Sequence, residues 1–168
     1  MIENLKRDFE ILQENEKFKE WKEKNNESYL CSAFLMNEDN KGNWQIDYFN
    51  PSSWDITSFL VREKEIKINN PEKIFQKEKE KVKELVIENV KVSYEKVNKM
   101  MKELLKEKYS SERPDKKVFV LQVIEETIWN VTYINSSFNI LNVKISAENG
   151  KVLSENLSPV FSFKTDEK

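Results

Sequence analysis

Two tryptophan-containing segments of this chain resemble each other, and this likeness constrains the fold more than any other feature. Residues 44–50, WQIDYFN, align with residues 129–135, WNVTYIN; after omission of Pro51, residues 52–56, SSWDI, align with residues 136–140, SSFNI. Six of the twelve aligned pairs are identical, and the offset is 84 or 85 throughout. Repeats of this kind indicate a duplicated structural unit. The alternative is that two hairpins are alike because Trp, Tyr and Asn suit strands and turns.

Each segment lies in the same order of predicted elements, a helix followed by strands and turns. Near the N-terminus, Leu5, Phe9 and Leu12 share one helical face, and Asn15 is suited to cap a second helical piece. Residues 37–43 have the Asn, Asp and Gly content of a hairpin turn. Strands are predicted at residues 29–36, 44–48 and 54–68, then at 118–124, 129–135 and 138–147, with a further extended segment at 151–163.

Residues 72–109 predict one long helix, because this stretch contains no Gly or Pro and carries apolar residues at spacings of three and four. These residues are Val82, Val86, Val90, Tyr94, Val97, Met101 and Leu104. The predicted fold class is therefore α+β, with two tandem α-β-β-β units, each a helix packed on an antiparallel sheet, joined by the long helix. The first unit is residues 1–70, and the second, with the long helix, is residues 71–168.

The end of the second unit resembles a known family. Residues 129–133, WNVTY, and residues 141–153, LNVKISAENGKVL, are similar to the strand-turn-strand ending of PepSY domains, and the likeness is best over residues 92–153. It departs from the family pattern at Ser146, where Asp is common, and the first unit has no glycine in its corresponding turn, residues 63–65. The resemblance implies two loosely cystatin-like, PepSY-like repeats. It also implies a small non-catalytic module of the kind found in peptidase propeptides and cell-envelope proteins, which inhibits or binds other proteins.

Composition excludes several classes of site. The chain has no His, so imidazole bases and His-containing metal sites are absent, and its lone Cys31 can form neither an intrachain disulfide nor a thiolate cluster. Gly42 and Gly150 lie too far apart for a glycine-rich phosphate loop. The apolar neighbours of Cys31 favour a buried thiol. We therefore expect no enzyme activity, catalytic residue, cofactor or metal; a hydrolase that relies on paired carboxylates is the alternative.

Charge and hydropathy limit the partners. The 28 Lys and Arg are interleaved with 30 Asp and Glu, which argues against nucleic acid. No apolar run approaches the ~18 residues of a membrane span, so the chain is expected to be soluble. The compartment stays open: cytoplasmic by default, and extracytoplasmic if a leader has been removed.

The predicted strands are apolar on both faces, so a second cover is needed besides the helix. We expect the other repeat, a second copy in a homodimer, or a protein or peptide partner to supply it. The candidate interaction surface is Trp44, Tyr48, Trp54, Ile56, Trp129, Tyr133, Phe138 and Ile140. The predicted function is a non-enzymatic protein-interaction or peptide-binding module, with inhibition as one form of that role and a self-associating structural protein as the alternative.

Overall fold

The fold is dominated by one antiparallel sheet, in a computed structural model that describes residues 5–37, 43–73 and 82–160. The helices are α1 (Leu5–Glu14), α2 (Glu16–Lys24) and α3 (Tyr94–Lys108). The strands are β1 (Tyr29–Asn37), β2 (Gln45–Asn50), β3 (Asp55–Arg62), β4 (Glu65–Ile68), β5 (Glu72–Lys73), β6 (Pro114–Val123), β7 (Thr127–Asn135), β8 (Asn139–Ser146) and β9 (Val152–Pro159). A 3₁₀ turn spans Ile87–Asn89.

The nine strands form a single sheet in the order β4-β3-β2-β1-β6-β7-β8-β9, with β5 also pairing with β3. The strands of the first half are a meander that ends at β1, and those of the second half are a meander that begins at β6. The two meanders join because β1 pairs antiparallel with β6, from Ser32 opposite Gln122 to Asn37 opposite Lys117.

The predicted fold class is therefore wrong in its arrangement. The strands of both predicted units lie in one nine-stranded sheet, rather than in two separate helix-on-sheet units. Alternation along a strand specifies which side chains share a face, but it does not specify which strand becomes the neighbour of β1. The boundary at residue 70 and the common descent of the two units stay predictions.

The long helix over 72–109 is also wrong within the described residues. Residues 82–93 contain no α-helix and are irregular apart from the 3₁₀ turn. Helix α3 begins only at Tyr94, where the Oγ of the capping residue Ser93 accepts the N–H of Lys96 at 3.2 Å. Backbone bonds to the sheet hold this segment: Leu85 N donates to Leu30 O, and the N–H groups of Lys91 and Val92 donate to Ala147 O, all at 2.8–2.9 Å. Residues 74–81, and residues 38–42 of the predicted hairpin turn, lie outside the described residues.

The main core lies on one face of the sheet, under the helices and the 85–92 segment. Trp44 from the first half and Trp129 from the second are both buried there, with ring centroids 6.0 Å apart, and Tyr94 of α3 packs edge-on against Trp44. The indole N–H of Trp129 donates to Val92 O at 2.9 Å, so this buried polar group is satisfied. From the first half, α2 adds Phe18, whose ring packs at a tilt against Tyr48 and edge-on against Phe59.

Candidate interaction surface

The structure divides the eight predicted surface residues into two groups. Four of them, Trp44, Tyr48, Trp129 and Tyr133, are buried in the main core. Side chains along a strand point alternately to the two faces of the sheet, and these four share the helix-covered face with the other core residues of β2 and β7. A partner therefore reaches none of these four side chains without opening the fold.

The other four residues lie at opposite ends of the sheet and do not form one patch. Trp54 and Ile56 are half-buried at the β2–β3 turn. There Trp54 packs edge-on against the buried Phe49, with ring centroids 5.1 Å apart. Phe138, 63% exposed, and the half-buried Ile140 lie at the β7–β8 turn. Because β2 and β7 run in opposite directions across the central pair, these two turns are at opposite ends of the strands.

On the sheet face opposite the main core, no helix of the described residues covers the strands. The centre of this face is apolar: Phe34 lies opposite Val120, and Met36, 41% exposed, lies opposite Val118. These residues were not singled out from the sequence, although the nearly continuous apolar run of β1 indicates a strand that is apolar on both sides.

Hydrogen-bonded polar side chains flank this apolar centre. On one side, the Asp47 carboxylate accepts from Ser32 Oγ at 2.9 Å and from Ser58 Oγ at 2.7 Å. On the other side, the Asn142 amide donates to Asn130 at 2.7 Å and to Thr132 at 3.0 Å. These polar groups pair with one another, which helps to fix the conformation of this face.

The two edge strands of the sheet, β4 and β9, differ in how well they are protected against pairing with another strand. At one end, β4 is a four-residue strand with Glu65 and Lys67, and short charged edges resist further strand pairing. At the other end, β9 is an eight-residue strand that carries the exposed apolar side chains Val152, Leu153 and Leu157. Within the described residues β9 pairs only with β8, so its second side is a free edge.

The structure defines the surroundings of two titratable side chains, Cys31 and Glu126. The prediction that Cys31 is buried is confirmed: it is 4% exposed, and burial, with a smaller effect of Asp47, raises the pKa of its thiol to about 12. Glu126 lies in the β6–β7 connection and accepts from Ser146 Oγ at 2.8 Å. In the described part of the chain, no group of three or more Cys, Asp and Glu is placed to hold a metal ion.

Comparison with known proteins adds a fold likeness. No family model and no curated protein matches the chain. Among solved structures it is similar to a "putative lipoprotein" from Clostridium difficile 630, with a TM-score of 0.53, 14% identity, and coverage of 93% of this chain and 99% of that one. At this identity the likeness shows a shared fold and does not bear on the PepSY resemblance. No helix among the described residues is long and apolar enough to cross a membrane.

Proposed function

We propose that this chain is a non-enzymatic protein-interaction module that binds an extended polypeptide segment along the free edge of β9. The observation that carries the proposal is the contrast between the two sheet edges. β4 is short and charged, whereas β9 is long, carries three exposed apolar side chains and is uncovered in the described residues. An open edge presents a row of unpaired N–H and C=O groups to which another strand can add.

The register of β9 indicates which backbone groups are free. Val160 N–H donates to Phe138 O at 2.7 Å, and bonded and non-bonded pairs alternate along an antiparallel ladder. Counting back from this bond, Ser158, Asn156 and Ser154 are bonded to β8, whereas the N–H groups of Leu157 and Glu155 are directed outward. The backbone nitrogen of Pro159 is also directed away from β8, so the lack of an N–H at this residue removes no hydrogen bond from the sheet.

The side of β9 that faces α3 offers contacts for the side chains of an added strand. A notch of about 170 Å³ is lined by Met100, Leu104 and Val152 among others, and an apolar side chain from the added strand would lie in it. Beside it, Glu155 is held by Tyr109 Oη at 2.6 Å and by Lys108 Nζ at 3.4 Å. The ligand class is thus a peptide in extended conformation with apolar residues at alternate positions.

The test is selection from a displayed library of linear random peptides, followed by titration of the best synthetic peptide. Leu157→Pro removes one outward N–H and no bond to β8, so we expect it to weaken binding at least about ten-fold, the value of one or two lost hydrogen bonds. The matched control, Leu157→Ala, keeps the N–H and is expected to weaken binding less. Circular dichroism melting checks that both variants are folded.

N-methylation of the peptide provides a second readout that does not depend on the fold of a variant. In an added strand, every second peptide N–H faces β9 and the others point away from it. We expect methylation of the nitrogens that face β9 to abolish binding, and methylation of the others to be tolerated. Absence of any selected binder, or tolerance of methylation at every position, contradicts the proposal. So does sedimentation velocity that shows a dimer converted to a monomer by Leu157→Pro, because the occupant of the edge is then a second copy.

A further inference from the structure

A cavity separate from the β9 edge lies between α1, α2 and residues 84–88, which include the start of the 3₁₀ turn. Its volume is about 360 Å³, at the lower end of the range for ligand pockets, which suits a small metabolite. The apolar part of its wall comes from Phe9, Leu30, Leu85, Val86 and Ile87. A second cavity of about 580 Å³ shares Gln13, Lys22 and Tyr48 with it.

Charges of both signs line this cavity. Lys22 of α2 is half-buried, and its Nζ donates to the backbone O of Asn26 at 3.0 Å. Glu84 and Glu88, the latter in the 3₁₀ turn, are exposed, and neither forms an ion pair with another described residue. A ligand that carried only a negative charge would be repelled by the two carboxylates, and one that carried only a positive charge would be repelled by Lys22.

One residue of the cavity wall has an unpaired, buried hydroxyl group. Ser28 lines it, is buried, and has a hydroxyl oxygen with no hydrogen-bond partner among the described residues. Leaving a buried hydroxyl unpaired is costly, so this group is a candidate to bond to a ligand. The neighbouring Tyr48 hydroxyl, in contrast, bonds to the Gln13 side chain.

We propose that this cavity binds a free α-amino acid with an apolar side chain. The ammonium group faces Glu84 and Glu88, the carboxylate faces Lys22 and accepts from Ser28 after rotation of its side chain, and the apolar side chain packs on Phe9 and Leu30. This inference is independent of peptide binding at β9, because the two sites share no residue.

Calorimetric titration of the full chain with L-leucine and L-phenylalanine tests the site. The matched probes are 4-methylpentanoate, which is leucine without its ammonium group, and 3-methylbutylamine, which is leucine without its carboxylate. We expect an amino acid to bind in the millimolar range or tighter, and each truncated probe to bind at least about ten-fold more weakly, since a hydrogen bond to a charged group is lost.

If Lys22 binds the carboxylate and Glu84 and Glu88 bind the ammonium group, two charge variants change the order of affinity for the three ligands. Lys22→Met is expected to weaken the binding of L-leucine and to strengthen the binding of 3-methylbutylamine. The double variant Glu84→Gln, Glu88→Gln is expected to weaken the binding of L-leucine and to strengthen the binding of 4-methylpentanoate. Lys24→Met, on the same helix but outside the cavity lining, is the control and should bind as the unchanged chain does. A general loss of structure would instead weaken the binding of all three ligands together.

Three outcomes overturn the proposal. The first is no heat of binding with either amino acid at millimolar concentration. The second is equal affinity for leucine and its two truncated analogues. The third is that the charge variants leave the order of the three ligands unchanged while circular dichroism shows that they are folded.

Discussion

At the scale of single residues, two aromatic side chains occupy an unusual backbone conformation. Trp54 and Phe138 have φ of 56° and 63°, in the left-handed region that costs an L-residue about 1–2 kcal/mol. Hairpin turns usually place glycine or asparagine there. The two residues are paired in the sequence alignment, and each donates its N–H back to an aligned asparagine, Trp54 to Asn50 O and Phe138 to Asn135 O. Aligned residues thus share a strained turn conformation.

The strain predicts opposite results for the same substitution at the two positions. Phe138→Gly relieves the backbone and loses a largely exposed ring, so we expect the free energy of unfolding to stay unchanged or to rise by up to about 1 kcal/mol. Trp54→Gly also removes the contact with Phe49, so we expect a loss of about 2 kcal/mol. Urea unfolding measures both. Phe138→Val, a β-branched control, is expected to be less stable than either Phe or Gly at this position, and equal stability of the Val and Gly variants would contradict the strain argument.

At the scale of elements, the start of α2 was predicted correctly because its signal is local. Asn15 follows the last turn of α1, and its side chain accepts the N–H groups of Lys17 at 2.9 Å and Phe18 at 3.2 Å. The prediction of helix over residues 82–93 is wrong because Val82, Val86 and Val90 have helical spacing, whereas backbone bonds to β1 and to the residue after β8 fix the chain in a non-helical conformation. Local periodicity has no information about those distant partners.

The capping role of Asn15 gives a prediction for α2. Asn15→Ala leaves two N–H groups at the start of the helix without their acceptor, so we expect the free energy of unfolding to fall by about 1 kcal/mol, whereas Asn15→Asp keeps the acceptor and most of the stability. Chemical denaturation followed by tryptophan fluorescence reports the change. Asn26→Ala, an exposed position just after α2, is the control. If Asn15→Ala and Asn26→Ala had the same effect, the cap would contribute nothing specific.

At the scale of the whole molecule, the central β1–β6 pair makes the two halves depend on each other. Each half would expose an unpaired edge at the middle of the sheet if the other were removed. The main core would also be divided, because Trp44 and Trp129 come from different halves. A sheet cut at its centre therefore loses both backbone hydrogen bonds and buried apolar area.

This dependence predicts that residues 1–70 and residues 71–168, prepared as separate fragments, do not fold alone. Each is expected to show weak chemical-shift dispersion in its amide NMR spectrum, and the full chain to unfold in one transition seen alike by circular dichroism and fluorescence. Mixing the fragments is expected to restore part of the dispersed spectrum. A cooperative unfolding transition in either isolated fragment would instead show that the halves are independent units.

The sequence by itself determined the positions of β1, β2, β7 and β8, the start of α2, and the burial of Cys31, because alternation, capping and apolar neighbours act over a few residues. The tertiary structure alone decided that β1 and β6 are neighbours, since strand pairing joins residues far apart in the chain. It also decided that Trp44 and Trp129 meet inside one core, which moved the tryptophans from the predicted surface to the interior. The free edge of β9 exists for the same reason: an edge is defined by what the rest of the sheet leaves unpaired, and no short sequence pattern specifies that.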